Sequence, residues 1–134
     1  MDFYLEDANV IERLVTEWKK YNNLVIAYDY DNTVYDFHRR GHQYHDVIQL
    51  LRECKAFGAH LVVFTASADA NFPSIINYLE ANEIPFDAIN ESPSFVPVAG
   101  GKKIYFNILL DDRAGLSSAY QCLQAALTIM KEGA

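Results

Sequence analysis

Cysteine, positive charge and long apolar runs are scarce in this chain, and each scarcity narrows what it can be. Only two cysteines occur, Cys54 and Cys122, with no CxxC spacing. Both fall in stretches of helical periodicity, so they read as reduced, buried thiols rather than a disulfide framework. Lys and Arg total 11 against 18 Asp and Glu, a net charge of −7. That balance argues against a broad electrostatic grip on DNA, RNA or an anionic membrane, so neither nucleic acid nor membrane is an expected partner. No run reaches the roughly 18 apolar residues that a membrane span needs. The acidic start Met1-Asp2-Phe3-Tyr4-Leu5-Glu6-Asp7 is not followed by an apolar stretch, so no secretory leader is read and a cytoplasmic location is expected. Internal repeats, low-complexity tracts and linkers are also missing. What is present, 134 residues with 51% apolar content, suffices for one domain with a real core. We expect a single domain over 1–134, with residues 1–23 as a helical extension packed on it.

Apolar spacing predicts a helix from about Asp7 to Tyr21, with Ile11, Leu14, Val15 and Trp18 on one face. Asn22-Asn23 ends it. Leu24 to Tyr30 is continuously apolar until its last residues, which suits a strand buried on both faces. A polar loop, Asp36 to His42, leads to a second helix from about Tyr44, stopped by Gly58. His60 to Phe64 is the second strand. A third helix opens near Phe72-Pro73, with proline in the first turn. Phe86 to Ile89 is a short strand, Asn90 to Lys103 an irregular stretch, Ile104 to Leu110 a last strand and Gly115 to Lys131 a last helix. Strand–helix alternation of this kind predicts an α/β fold, a three-layer α/β/α sandwich around a Rossmann-like parallel sheet. Ligands of such sheets bind beyond the carboxyl ends of the strands.

Three polar groups fall at those ends. Asp29-Tyr30-Asp31-Asn32-Thr33 closes the first strand, Thr65-Ala66-Ser67 the second, and Asp111-Asp112 the last. Carboxylates this close raise one another's proton affinity. A divalent cation removes that cost, and hard cations such as Mg²⁺ prefer carboxylate oxygen. The residues therefore point to a cation and a phosphate held together in one cleft.

The motifs and their order resemble those of the haloacid dehalogenase superfamily of phosphotransferases. Its first motif, an apolar strand followed by DxDx(T/V), matches Ile26-Ala27-Tyr28-Asp29-Tyr30-Asp31-Asn32-Thr33-Val34; its second matches Val63-Phe64-Thr65. Its upstream lysine matches Lys102-Lys103, and its acidic strand end matches Leu109-Leu110-Asp111-Asp112. The resemblance implies that Asp29 is a nucleophile forming an aspartyl-phosphate and that Asp31 is the general acid, then base. It implies that Thr65 and Lys103, or Lys102, contact the phosphoryl group. Mg²⁺ would be held by Asp29, Asp111, Asp112 and Asp31, the last through its backbone carbonyl. The implied activity is Mg²⁺-dependent hydrolysis of a small phosphorylated metabolite or nucleotide. A polynucleotide 3′-phosphatase, a phosphoprotein phosphatase and a catalytically weak metal-binding module are the alternatives.

Only about ten residues separate Val34 from the second helix, and the stretch between Thr65 and Lys102 already holds a helix and a strand. Neither leaves room for the folded cap that many members of this superfamily carry, so a capless, open site is expected; a homo-oligomer is left open. Thr33-Val34-Tyr35-Asp36-Phe37 and Asp111-Asp112-Arg113 resemble the 5′(3′)-deoxyribonucleotidases, although Asn32 stands where Gly is usual there. Further substrate-contact candidates are Ala66, Ser67, Lys102, Arg39 and Arg40. For His38, Arg39, Arg40 and His42 two readings stand, substrate phosphate contact or a solvated loop. Arg113 is expected to brace Asp111 or Asp112 by an ion pair. Tyr30, Tyr35 and Phe37 would anchor the loop or stack on a base.

Overall fold

Leu24, Ile26, Ala27 and Tyr28 are wholly buried, as a continuous apolar run requires of a central strand. They lie in a computed structural model that describes residues 1–96 and 103–133. In chain order its elements are α1 (Asp7–Tyr21), β1 (Val25–Asp29), α2 (His45–Ala56), β2 (His60–Phe64), α3 (Phe72–Ala81), β3 (Ala88–Ile89), β4 (Ile108–Leu110) and α4 (Leu116–Glu132). Short 3-10 turns, Phe3–Leu5 and Asp69–Asn71, precede α1 and α3. The four strands form one parallel sheet in the order β3-β2-β1-β4. The fold is thus the α/β class with Rossmann-like winding that the sequence predicts. From β1 the chain steps outward to β2 and β3, then returns past its start to β4. The strand order reverses between β1 and β4, the place where such sheets open a crevice for ligands.

Register divides the strand side chains between the two faces. Ile26 lies beside Leu61 and Ile108, and Tyr28 beside Val63 and Leu110. These residues share one core with Leu14 and Trp18 of α1, Leu51 and Cys54 of α2, Ile75 and Leu79 of α3, and Leu123 and Leu127 of α4. The Tyr28 hydroxyl, carried into that core, donates to the Pro85 carbonyl at 2.8 Å, so this buried phenol is satisfied. On the opposite face Val25, Ala27 and Val62 are also buried. There the β3–β4 connection contributes Phe95, edge-on to His60, and Phe106, packed against Phe64. Both cysteines are buried and free, and burial pushes the Cys54 thiol up to about 12.

Element ends follow local chemistry. Asn22 takes a left-handed conformation (φ 51°) and ends α1; Gly58 (φ 96°) lies just past the end of α2. The last strand is shorter than the expected Ile104 to Leu110. The ladder begins where the Asn107 N–H reaches the Val25 carbonyl at 2.8 Å. Upstream of Val25 the chain is already turning out of α1, so residues 104–106 have no strand beside them to pair with. The third strand is also shorter, because the Asp87 carboxylate takes the Leu61 N–H at 2.8 Å and ties it to Lys55. Among the described residues no helix is long and apolar enough to cross a membrane.

Helix α1 packs on the core through one face, with Leu14 and Trp18 buried. Trp18 is 2% exposed and meets Phe57 edge-on. Arg13 donates to the Asn107 carbonyl at 3.0 Å, and the Asn107 amide donates to Glu17 at 2.9 Å. These bonds tie α1 to the start of β4. Trp18→Ala should cost about 3–5 kcal/mol, read as a lower urea midpoint at unchanged slope; a loss below about 1 kcal/mol would show α1 to be dispensable.

Candidate functional site

Because Tyr28 pairs with Leu110, the residues that follow them fall side by side: Asp29, the last residue of β1, and Asp111, the first after β4. Asp29, Asp111 and Asp112 each offer a carboxylate oxygen, and these lie within 4.8 Å of one another. The Asp29 carboxyl is raised to about 7, first by burial, then by a hydrogen bond with Asp112 and by the charges of Asp111, Asp112 and Asp31. Every one of those influences pushes upward. Asp31 is raised too, by burial and then by Asp112, with His38 pulling the other way. The Asp31 carboxylate stands outside the group of three, which leaves its backbone carbonyl as the expected contact to a cation.

A tight turn sets the spacing of the two motif aspartates. Asn32 adopts φ 62°, its N–H donates to the Tyr35 carbonyl at 2.7 Å, and the Tyr35 N–H returns to the Tyr30 carbonyl at 3.1 Å. Asn tolerates the left-handed region better than other side chains, so it can stand where glycine would otherwise be needed. Tyr30 stacks on Tyr35 with ring centres 4.9 Å apart, Tyr78 closes edge-on, and the Tyr78 hydroxyl donates to the Val34 carbonyl at 3.0 Å. Tyr30 and Tyr35 are therefore loop anchors; Phe37 is exposed beside His38.

Thr33 and Asn90 were not assigned a role by sequence reasoning. Thr33 is wholly buried. Its hydroxyl accepts the Asp112 N–H at 3.2 Å and faces the Asp112 carboxylate at 3.5 Å, fastening the β1 turn to the β4 acids. The Asn90 side chain brackets the Thr65 peptide: Oδ1 accepts its N–H at 3.0 Å and Nδ2 donates to its carbonyl at 2.8 Å. The Thr65 hydroxyl accepts the Ser67 N–H at 3.1 Å, which folds Thr65-Ala66-Ser67 into a turn at the end of β2. The available signals were a threonine two residues past the acid pair and an asparagine directly after a strand.

The basic candidates are less gathered. Lys103 is exposed, with no side-chain hydrogen bond or ion pair among the described residues. Lys102 lies outside the described residues. Arg40, with His38, His42 and Tyr44, lines a pocket next to Asn32; Arg39 is exposed and is not among its lining. The expected Arg113 ion pair does not form among the described residues. Instead the Arg113 backbone N–H donates to Asp111 Oδ1 at 2.9 Å, a local aspartate turn that leaves the guanidinium in solvent. No folded cap covers the site among the described residues.

The oxygen set suits a hard divalent cation. Ligands at about 2.1 Å from Mg²⁺ lie roughly 3–4 Å from one another in an octahedral shell, which three carboxylates already inside 4.8 Å reach by small rotations.

No family model and no curated protein matches this chain. A solved structure described as a conserved protein from Bacteroides thetaiotaomicron is similar in fold, with a TM-score of 0.61 over 84% of this chain and 93% of that one, at 18% identity. At that identity the likeness extends to the fold alone.

Two outcomes follow from this geometry. Asp29 is raised above its ordinary 3.8, so its contribution to stability is full below that value and is lost as pH rises through about 7. Metal-free protein should melt lower at about pH 8 than at about pH 5, with Mg²⁺ restoring most of the difference and Asp29→Asn flattening it; a melting temperature that rises over this interval contradicts the assignment. At Asn32, Gly should be tolerated within about 1 kcal/mol, whereas Val should cost about 1–3 kcal/mol in denaturant titrations.

Proposed function

We propose that this protein is a Mg²⁺-dependent phosphomonoester hydrolase working through an aspartyl-phosphate on Asp29. The observation that carries the reading is the convergence of Asp29, Asp111 and Asp112 at the point where the strand order reverses. Support also comes from the motif order, which resembles that of the haloacid dehalogenase phosphotransferases.

In this reading an Asp29 oxygen attacks phosphorus and the ester P–O bond breaks. Asp31 gives its proton to the departing alkoxide; the upward shift of its carboxyl favours the protonated form that this step needs. Asp31 then takes a proton from water, the hydroxide attacks phosphorus, and the bond to Asp29 breaks to release inorganic phosphate. Thr65, fixed by Asn90, would hydrogen-bond the phosphoryl oxygens, and Lys103 or Lys102 would offset their charge. Asp29, Asp111, Asp112 and the Asp31 carbonyl would hold Mg²⁺. When bound, the cation supplies the positive charge that keeps Asp29 ionised beside its neighbours and screens it from the substrate dianion. Thr33 acts by holding Asp112 in line.

The test is phosphate release from p-nitrophenyl phosphate with Mg²⁺ and with EDTA. Asp29→Asn should fall to background and Asp31→Asn should lose about 10²–10⁴-fold in kcat. Release that EDTA leaves unchanged would refute the metal dependence, and an active Asp29→Asn would refute the nucleophile.

A further inference from the structure

The connection between β1 and α2 runs into a basic segment, in a chain whose net charge is −7. Within residues 38–45 lie His38, Arg39, Arg40, His42 and His45, which include three of the protein's four histidines. Arg40, His38 and His42 line one pocket of about 260 Å³ with Asn32, Asp36 and Tyr44. Among the described residues the Arg40 guanidinium and the two imidazoles have no side-chain hydrogen bond or ion pair, so their donors are unspent. Asp36 is the one acid of the lining. Its two oxygens accept the Arg40 and Gly41 N–H groups at 3.3 and 2.7 Å, so it clasps the loop that presents the cations. Tyr44 is also the N-cap residue of α2, whose first turn has no side-chain cap.

The pocket borders the acids on one particular side. Asn32 follows Asp31 in the chain, and His38 lies close enough to Asp31 to oppose the upward shift of its carboxyl. Asp31 is the residue that would protonate the leaving group. A volume below the about 300–1,000 Å³ of pockets that enclose whole small molecules suits one anionic group, not a nucleoside.

We propose that the Arg40–His38–His42 pocket is an anion subsite that selects substrates bearing a second phosphate or carboxylate on the leaving-group side of the scissile phosphate. This inference rests on the phosphomonoesterase reading. Arg40 supplies the forked donors that match an oxyanion, and the two imidazoles and the Tyr44 hydroxyl complete a shell of donors around it.

The probes are 1,3-propanediol bisphosphate and 1,3-propanediol monophosphate, which differ only in the second phosphate. The wild type should favour the bisphosphate in kcat/KM by about tenfold or more, the worth of one charge-assisted contact. Arg40→Gln and, separately, His42→Gln should shrink that ratio towards one, with melting temperatures near wild type because both side chains are exposed. A 3-phosphooxy carboxylic acid in the same assay shows whether carboxylate replaces the second phosphate. Calorimetric binding of both probes to Asp29→Asn protein with Mg²⁺ reads the subsite without turnover. Equal binding of the two probes by wild-type and Asp29→Asn protein, or a preference that survives both substitutions, overturns the subsite. A binding preference lost in Arg40→Gln but accompanied by no release from any phosphomonoester upholds the subsite and overturns the hydrolase reading instead.

Discussion

The repulsion among Asp29, Asp111 and Asp112 is the constraint around which the rest of the structure is arranged. Strand register makes it unavoidable, since pairing Tyr28 with Leu110 delivers the acids to neighbouring positions at the sheet edge. Only strongly fixed strands can hold like charges so close, and these are fixed from beneath by the core that buries Leu24, Ile26, Tyr28 and Leu110. From above, the Thr33 hydroxyl accepts the Asp112 backbone N–H and the Arg113 N–H holds the Asp111 carboxylate. Asp29 relieves part of the strain by holding its proton up to about pH 7 and sharing a hydrogen bond with Asp112. The ionised form of Asp29 is thereby disfavoured unless positive charge arrives. This is the electrostatic form of a site complementary to a cation rather than to water.

Around this centre the structure separates residues placed by strands from residues placed by a loop. Asp29 is the last residue of β1, and Asp111 and Thr65 follow directly on β4 and β2, so their positions derive from the sheet. The residues that differ in character from the acids, His38, Arg40 and His42, sit on the loop before α2, held by Asp36 at one point and by the Tyr30–Tyr35–Tyr78 cluster at its root. Chemistry placed on strands and recognition placed on an adjoining loop is the usual economy of α/β sheets. Among the described residues no folded cap stands over the acids, and that loop borders them through Asn32.

Elements whose signal is local were readable in the sequence, and those whose signal is distant were not. α1 matches its expected span because its apolar spacing and the Asn22 stop both lie within the helix itself. The acids at the ends of β1 and β4 were legible because an apolar run ending in Asp is unusual without a ligand. The start of β4 was not legible, because it depends on where β1 begins, across the sheet. Thr33 and Asn90 act on residues 79 and 25 positions away, and nothing near them in the chain marks the partner. Arg113 misled for the opposite reason. An arginine beside two aspartates suggests an ion pair, yet the backbone N–H two residues on satisfies Asp111 with no side-chain entropy to lose.

Asparagine does the work at this site that glycine does in many turns. Of the five non-glycine residues with positive φ among the described residues, three are asparagines: Asn22, Asn32 and Asn90. Glycine would reach the same backbone conformations with less strain, but it would bring no side chain. At Asn90 the amide is the point, since it makes two hydrogen bonds to the Thr65 peptide and copies the pairing of a strand that β3 is too short to supply. At Asn32 the side chain lies on the wall of the pocket next to Asp31, where an amide can meet a ligand and a glycine cannot. A left-handed asparagine therefore fixes the turn and furnishes the wall at once. The departure from glycine at the first motif is accounted for by what the turn must do on both of its sides.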